Sequence, residues 1–169
     1  MADKECNTLL NSKGNKVPLR PTLTPEMIKF AVLDTAVCNF DEESLKTLAD
    51  DIAECYSTYD CGYDLAKKLD DDHGYDVDSS IVDDMGCVIS NIDNVLKLAE
   101  KDWMTAYSPL PPFEIGSRLT TWDDKGVITG INEYSAATYS VLMDSEPKDS
   151  TTRRLIKFEY AVLEEPAAK

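Results

Sequence analysis

The sequence predicts an α+β protein in which helices come first and a small β-barrel follows. Three observations predict it. Apolar residues recur every three or four positions between residues 24 and 107, the period of a helix with one buried face. The run SPLPPF (Ser108–Phe113) then breaks that period, because proline cannot continue a helix. Beyond it, short β-rich segments alternate with turns of glycine, aspartate and serine.

Residues 1–22 hold asparagine, lysine, glycine and two prolines without periodicity, and read as a flexible arm. The helical part covers 23–107. Its first helix opens at TPEMIKF, where Thr24 is a good N-cap, Pro25 fits the first helical position and Glu26 suits the positive dipole end. A second helix is capped by Asp41 and places Leu45, Leu48, Ala49, Ile52, Tyr56 and Tyr59 on one face. A short third helix, from about Tyr63 to Asp72, buries Leu65, Ala66 and Leu69 and stops at Gly74, a residue suited to a left-handed cap. Asp78 or Ser79 starts a long fourth helix whose apolar side runs through Ile81, Met85, Val88, Ile92, Val95, Ala99 and Trp103. Residues 108–113 are a proline linker, 114–165 supply four or five strands, and 166–169 form a tail. Trp103 and the apolar linker residues are expected to pack where the two parts meet.

Composition narrows the function classes. With 43% hydrophobic residues in 169, the chain has material for a core. No apolar run approaches the roughly 18–20 residues of a membrane span, and the start has no apolar signal core, so a cytoplasmic protein is expected. The five cysteines have spacings that match no paired zinc pattern, and Cys38, Cys55 and Cys87 are expected as buried reduced thiols. The single histidine, His73, reads as a helix-end residue rather than a ligand or base. If Gly74 took position six of a calcium loop, Leu69 would fall at position one, so the register fails. There is no phosphate loop, nucleotide fingerprint or nucleophile elbow. The expectation is a protein that is not an enzyme, with no catalytic residue, metal or cofactor.

Charge is the one functional signal. The chain carries −15, distributed as +2 over residues 1–22, −14 over 23–107 and −3 over 108–169. Helical carboxylates three or four residues apart lie about 5–6 Å apart at Cβ, a spacing similar to that of phosphates along a strand. Asp50, Asp51, Glu54, Asp70, Asp71, Asp72, Asp76, Asp83 and Asp84 are therefore the candidate contacts to a basic macromolecular partner. Such a field repels phosphate, so direct duplex DNA binding is not expected. A second candidate surface lies on the barrel, where Trp122, Tyr134, Tyr139, Arg153 and Arg154 interleave aromatic and basic groups suited to a peptide or a single strand. The oligomeric state stays open, with the long fourth helix as a third route to association.

The series IGSRL, KGVITGI, YSVLM and RLIKFEYAVLEE resembles the SH3-like barrels of the KOW and Tudor type over the last third of the chain. After the acidic helical bundle read from period and charge, that resemblance implies an SH3-like β-barrel over 114–165, one that binds nucleic acid, peptides or modified side chains, or braces a neighbour. In overall style the chain also resembles small acidic bacteriophage accessory proteins. Among these, anti-CRISPR and anti-restriction inhibitors of bacterial defence occupy nucleic-acid-binding surfaces. This likeness implies a nucleic-acid-binding protein or complex as target, met in the host cytoplasm.

Overall fold

The computed structural model describes residues 7–37 and 40–164, and shows four helices followed by four antiparallel strands, an α+β order with the helices N-terminal. Residue 165, the 166–169 tail, residues 1–6 of the arm, Cys6 and Cys38 lie outside the described residues. The chain divides into two compact units. One is residues 21–99; the other joins residues 7–20 to 100–164.

In the helical unit each helix starts on a side chain that satisfies exposed amides. Thr24 Oγ1 accepts from the Met27 N–H at 3.3 Å and opens α1 (Pro25–Leu33). The Asp41 carboxylate accepts from the Ser44 N–H at 2.8 Å and opens α2 (Glu42–Cys55). At α3 (Gly62–His73) the Asp64 carboxylate accepts from the Cys61 N–H at 3.0 Å. Gly74 ends it at φ 73, where a side chain would be strained. Asp78 settles the start of α4 (Ser79–Tyr107), its carboxylate accepting from Ser80 and Ile81 N–H at 2.9 and 3.1 Å. Ile28, Val32, Leu48, Ile52, Leu65, Leu69, Met85, Val88 and Ile92 form the unit's core. Tyr59 does not join it. The helix stops at Cys55, Tyr56 turns extended, and Tyr59 is left 95% exposed.

The sheet runs β1 (Arg118–Thr120), β2 (Lys125–Ile131), β3 (Thr138–Met143) and β4 (Arg154–Lys157), each pairing with the next. A bulge between Ile128 and Gly130 bends β2. After β4 a 3-10 turn, Phe158–Tyr160, carries the chain across so that Leu163 pairs with Leu119 on the other edge of β1. The Thr120 N–H donates to the Val162 carbonyl and the Glu164 N–H to that of Arg118.

Residues 7–20 are packed rather than loose. Leu9 and Val17 are buried with Trp103, Leu119, Ile128, Tyr139, Val141 and Phe158. Arg20 donates to both Glu159 carboxylate oxygens and to the carbonyls of Ala136 and Ala137, and its guanidinium lies 5.2 Å from the Trp103 ring centre. The Trp103 Nε1–H donates to the Pro18 carbonyl at 3.1 Å. Trp103 therefore belongs to the core of the sheet unit itself. The linker is also held: Pro109 is buried and pairs with Asn11, and the Leu110 N–H donates to the Leu10 carbonyl.

Candidate functional site: the carboxylates of the helical unit

Residues 21–99 carry eighteen acidic and five basic side chains, a net of −13. Amphipathic packing sends the apolar stripes inward, so the acids between them face water. Glu54 on α2, Asp70, Asp71 and Asp72 at the C-terminal end of α3, Asp76 after it, and Asp83 on α4 are all exposed. Among the described residues none of these six takes part in a salt bridge, whereas Lys29, Lys46 and Lys68 are engaged by Asp50, Glu42 and Asp60. Asp70, Asp71 and Asp72 also sit at the negative end of the α3 dipole, which disfavours negative charge there.

Two of the candidate acids are engaged by partners within the unit. Asp50 pairs with Lys29 at 2.7 Å, an exposed contact. Asp51 is only 22% exposed at its side chain; it accepts from the Tyr75 hydroxyl at 2.7 Å and lies 3.3 Å from His73 Nδ1. Burial, then the bond to Asp51, pushes the Tyr75 phenol well above its ordinary value. His73 thus helps fasten α3 to α2. Asp84 is half-buried.

The thiols differ from expectation. Cys55 is half-buried, and burial pushes its thiol up, but Cys61 and Cys87 are exposed. Cys87 lies in a depression of about 460 Å³ with Asp34, Thr35, Asp83, Ser90, Asn91 and Asn94. Sequence reasoning found only Asp83 there. The legible trace of the others is the polar run Ser90-Asn91-x-x-Asn94 inside an otherwise apolar-periodic helix. No group of three or more metal-ligating side chains occurs among the described residues. No described helix is long and apolar enough to cross a membrane.

The candidates on the sheet unit separate. Tyr139 is fully buried, its hydroxyl accepting from the Phe113 N–H and donating to the Phe113 carbonyl, so it belongs to the core and not to a binding face. In an antiparallel meander, successive connections alternate between the two ends of the sheet. Trp122, between β1 and β2, therefore shares an end with Arg153 and Arg154, while Tyr134, between β2 and β3, sits at the other end. Trp122 is 86% and Tyr134 94% exposed. Arg154 binds the Asp123 carboxylate, which that contact holds below its ordinary range. Arg153 donates to the carbonyls of Ser150 and Thr152.

Compared with family models, curated proteins and solved structures, the chain matches none.

Proposed function

We propose that the chain is a non-enzymatic binding protein that docks the acidic surface of a helical bundle onto a basic, nucleic-acid-binding surface of another macromolecule. Its nearest functional type is the phage-encoded inhibitor of a bacterial defence system. One observation carries the reading: six exposed carboxylates, on α2, α3, α4 and the turn before α4, have no salt bridge among the described residues of a unit of net −13. Solubility alone asks for a net charge of about 2–8 in a small domain. Like charges on one helix weaken it, so an array this dense suits a partner that neutralises it. Association steered by such a field is fast and falls steeply with salt.

The test is a pull-down from bacterial lysate on the immobilised protein, eluted by a salt gradient. A basic nucleic-acid-binding complex released at moderate salt and displaced by added DNA or RNA supports the reading. Changing Asp70, Asp71, Asp72 and Asp76 to Asn should weaken that affinity and flatten its salt slope; an unchanged slope sinks it.

A second reading rests on Trp122. In an SH3-like barrel, a final strand returns beside the first to close the sheet, and the pairing of Leu163 with Leu119 supports that reading of the sheet unit. At one end of it Trp122 stands almost fully exposed on a turn braced from within. The Thr121 hydroxyl donates to the Asp124 carbonyl, and Ser145 and Arg154 donate to the carboxylates of Asp124 and Asp123. A rigidly displayed indole suits a peptide or a single-stranded nucleic acid. Under this reading Trp122→Ala abolishes binding and the helical acids are dispensable.

A further inference from the structure

Past the end of α4 the chain turns on Ser108, whose φ of 43 is uncommon for a residue with a side chain, and continues as Pro109-Leu110-Pro111-Pro112. Both ends of this run are fastened within the sheet unit. Pro109 is buried and pairs with Asn11, and the Leu110 N–H donates to the Leu10 carbonyl at 2.8 Å. At the far end the Phe113 N–H donates to the Tyr139 hydroxyl at 2.8 Å, and that hydroxyl donates back to the Phe113 carbonyl at 2.9 Å. Between these anchors Leu110, Pro111 and Pro112 are exposed. Leu110 and Pro111 each precede a proline, which steers both to the extended polyproline II range. The carbonyls of Leu110, Pro111 and Pro112 accept no hydrogen bond among the described residues, leaving three successive acceptors to solvent. Leu10 beside the run, and Tyr107 and Ile115 flanking it, are exposed apolar side chains as well. Residues 103–113 carry no charge, in a chain whose residues are 29% charged.

We propose that this ridge docks a partner that reads polyproline II in an uncharged aromatic groove. Proline rings fit slots between aromatic side chains, and carbonyls without donors accept from the indole N–H and phenol O–H groups of such a groove. A neutral run offers a basic surface nothing to match, so the ridge serves a different partner from the acidic helical face. Anchoring at Pro109 and Phe113 removes the ordering cost that a free proline-rich segment would meet on binding. Those two anchors also account for the structural part of the run, whereas Pro111 and Pro112 fill no core. The same proline spacing recurs at Pro18-Leu19-Arg20-Pro21, but that run is committed to the fold. There the Pro18 carbonyl accepts from the Trp103 indole, and the Arg20 side chain is only 6% exposed.

The experiment titrates the full chain into isotope-labelled SH3, WW and EVH1 domains and follows their amide signals by NMR. At least one domain should show saturable shifts confined to its aromatic groove. Pro111→Ala with Pro112→Ala should weaken that binding about tenfold, with a urea midpoint close to that of the wild type. Leu110→Ser, which leaves both prolines in place, should weaken it about threefold and keeps the test valid if the double variant folds poorly. Asp70→Asn with Asp71→Asn, and Trp122→Ala, should leave it unchanged, which separates the ridge from the acidic face and from the exposed indole. No saturable shift in any of the three domains, or shifts that the proline variant retains in full, would overturn the proposal. So would self-association of the wild type that the proline variant loses, because a second copy would then be the occupant of the ridge.

Discussion

Removing the Arg20 side chain would leave the Glu159 carboxylate without the guanidinium that donates to both of its oxygens. Arg20 is 6% exposed at its side chain, with Glu159 at 11% and Glu100 at 15% beside it. Breaking a buried ion pair from one side costs about 3–5 kcal/mol, because the remaining charge is stranded. Arg20→Met should therefore lower the urea midpoint sharply, and Arg20→Lys should not restore it, since an ammonium cannot reach both carboxylate oxygens and two carbonyls in one plane. Tyr75 gives a pH signature of its own. Its folded-state pKa is raised, by burial and by the bond to Asp51, so the stability it supplies is complete below the ordinary tyrosine pKa of about 10 and fades as pH climbs beyond it. Urea unfolding between about pH 9 and 11.5 should find that the gap between wild type and Tyr75→Phe narrows as pH rises; a constant gap would mean the phenol ionises at its ordinary pKa. Neither contact is visible in the sequence. Arg20 sits among prolines with no period to place it, and its partners lie 80 to 139 positions away.

At the scale of elements, the backbone approach between α3 and α4 turns on one glycine. A Cβ added at Gly62 would lie 2.7 Å from the Val82 carbonyl oxygen and 2.8 Å from the Gly86 nitrogen, both main-chain atoms that cannot swing aside. Gly62→Ala should cost about 1–3 kcal/mol as the helices separate. Gly86→Ala meets nothing within 4 Å and removes a glycine from the interior of α4, so it should be neutral or stabilise by up to about 1 kcal/mol. Opposite shifts in the urea midpoint would confirm this contact, and equal losses would refute it. The sequence made α1 to α4 legible because caps and apolar period agree at each: Thr24, Asp41, Gly74 and Asp78 stand where the chain turns. The strands were legible as alternation bounded by turns. The 3-10 turn at Phe158–Tyr160 was not, because FEYAV continues the apolar alternation of β4, and nothing local says that the chain leaves one edge of the sheet for the other. Tyr139 was misassigned to a surface for a related reason, since its alternation marks one face without saying which face is inside.

Over the whole molecule, charge and packing pull against each other. The helical period runs unbroken from Ile81 to Trp103, so the sequence could not tell that residues 100–107 serve a different core from residues 79–99. Charge was legible because it needs no partner to be counted, and it divides the two units cleanly: −13 on residues 21–99 leaves −2 for the remainder. Self-repulsion of this kind weakens the compact state and is screened by salt. Asp70, Asp71 and Asp72 also place negative charge at the negative end of the α3 dipole. Changing these three to Asn should therefore raise the unfolding temperature by a few degrees at 10 mM salt and by much less at 0.5 M, where the Debye length is roughly 4 Å. If the array serves binding, the same substitutions should weaken capture of the basic partner, so that stability and affinity move in opposite directions. If it serves solubility alone, the variant should gain stability and lose nothing. Melting curves and salt-gradient elution of one variant at both salt concentrations distinguish the two, because only a surface held in tension for a partner relaxes at the partner's expense.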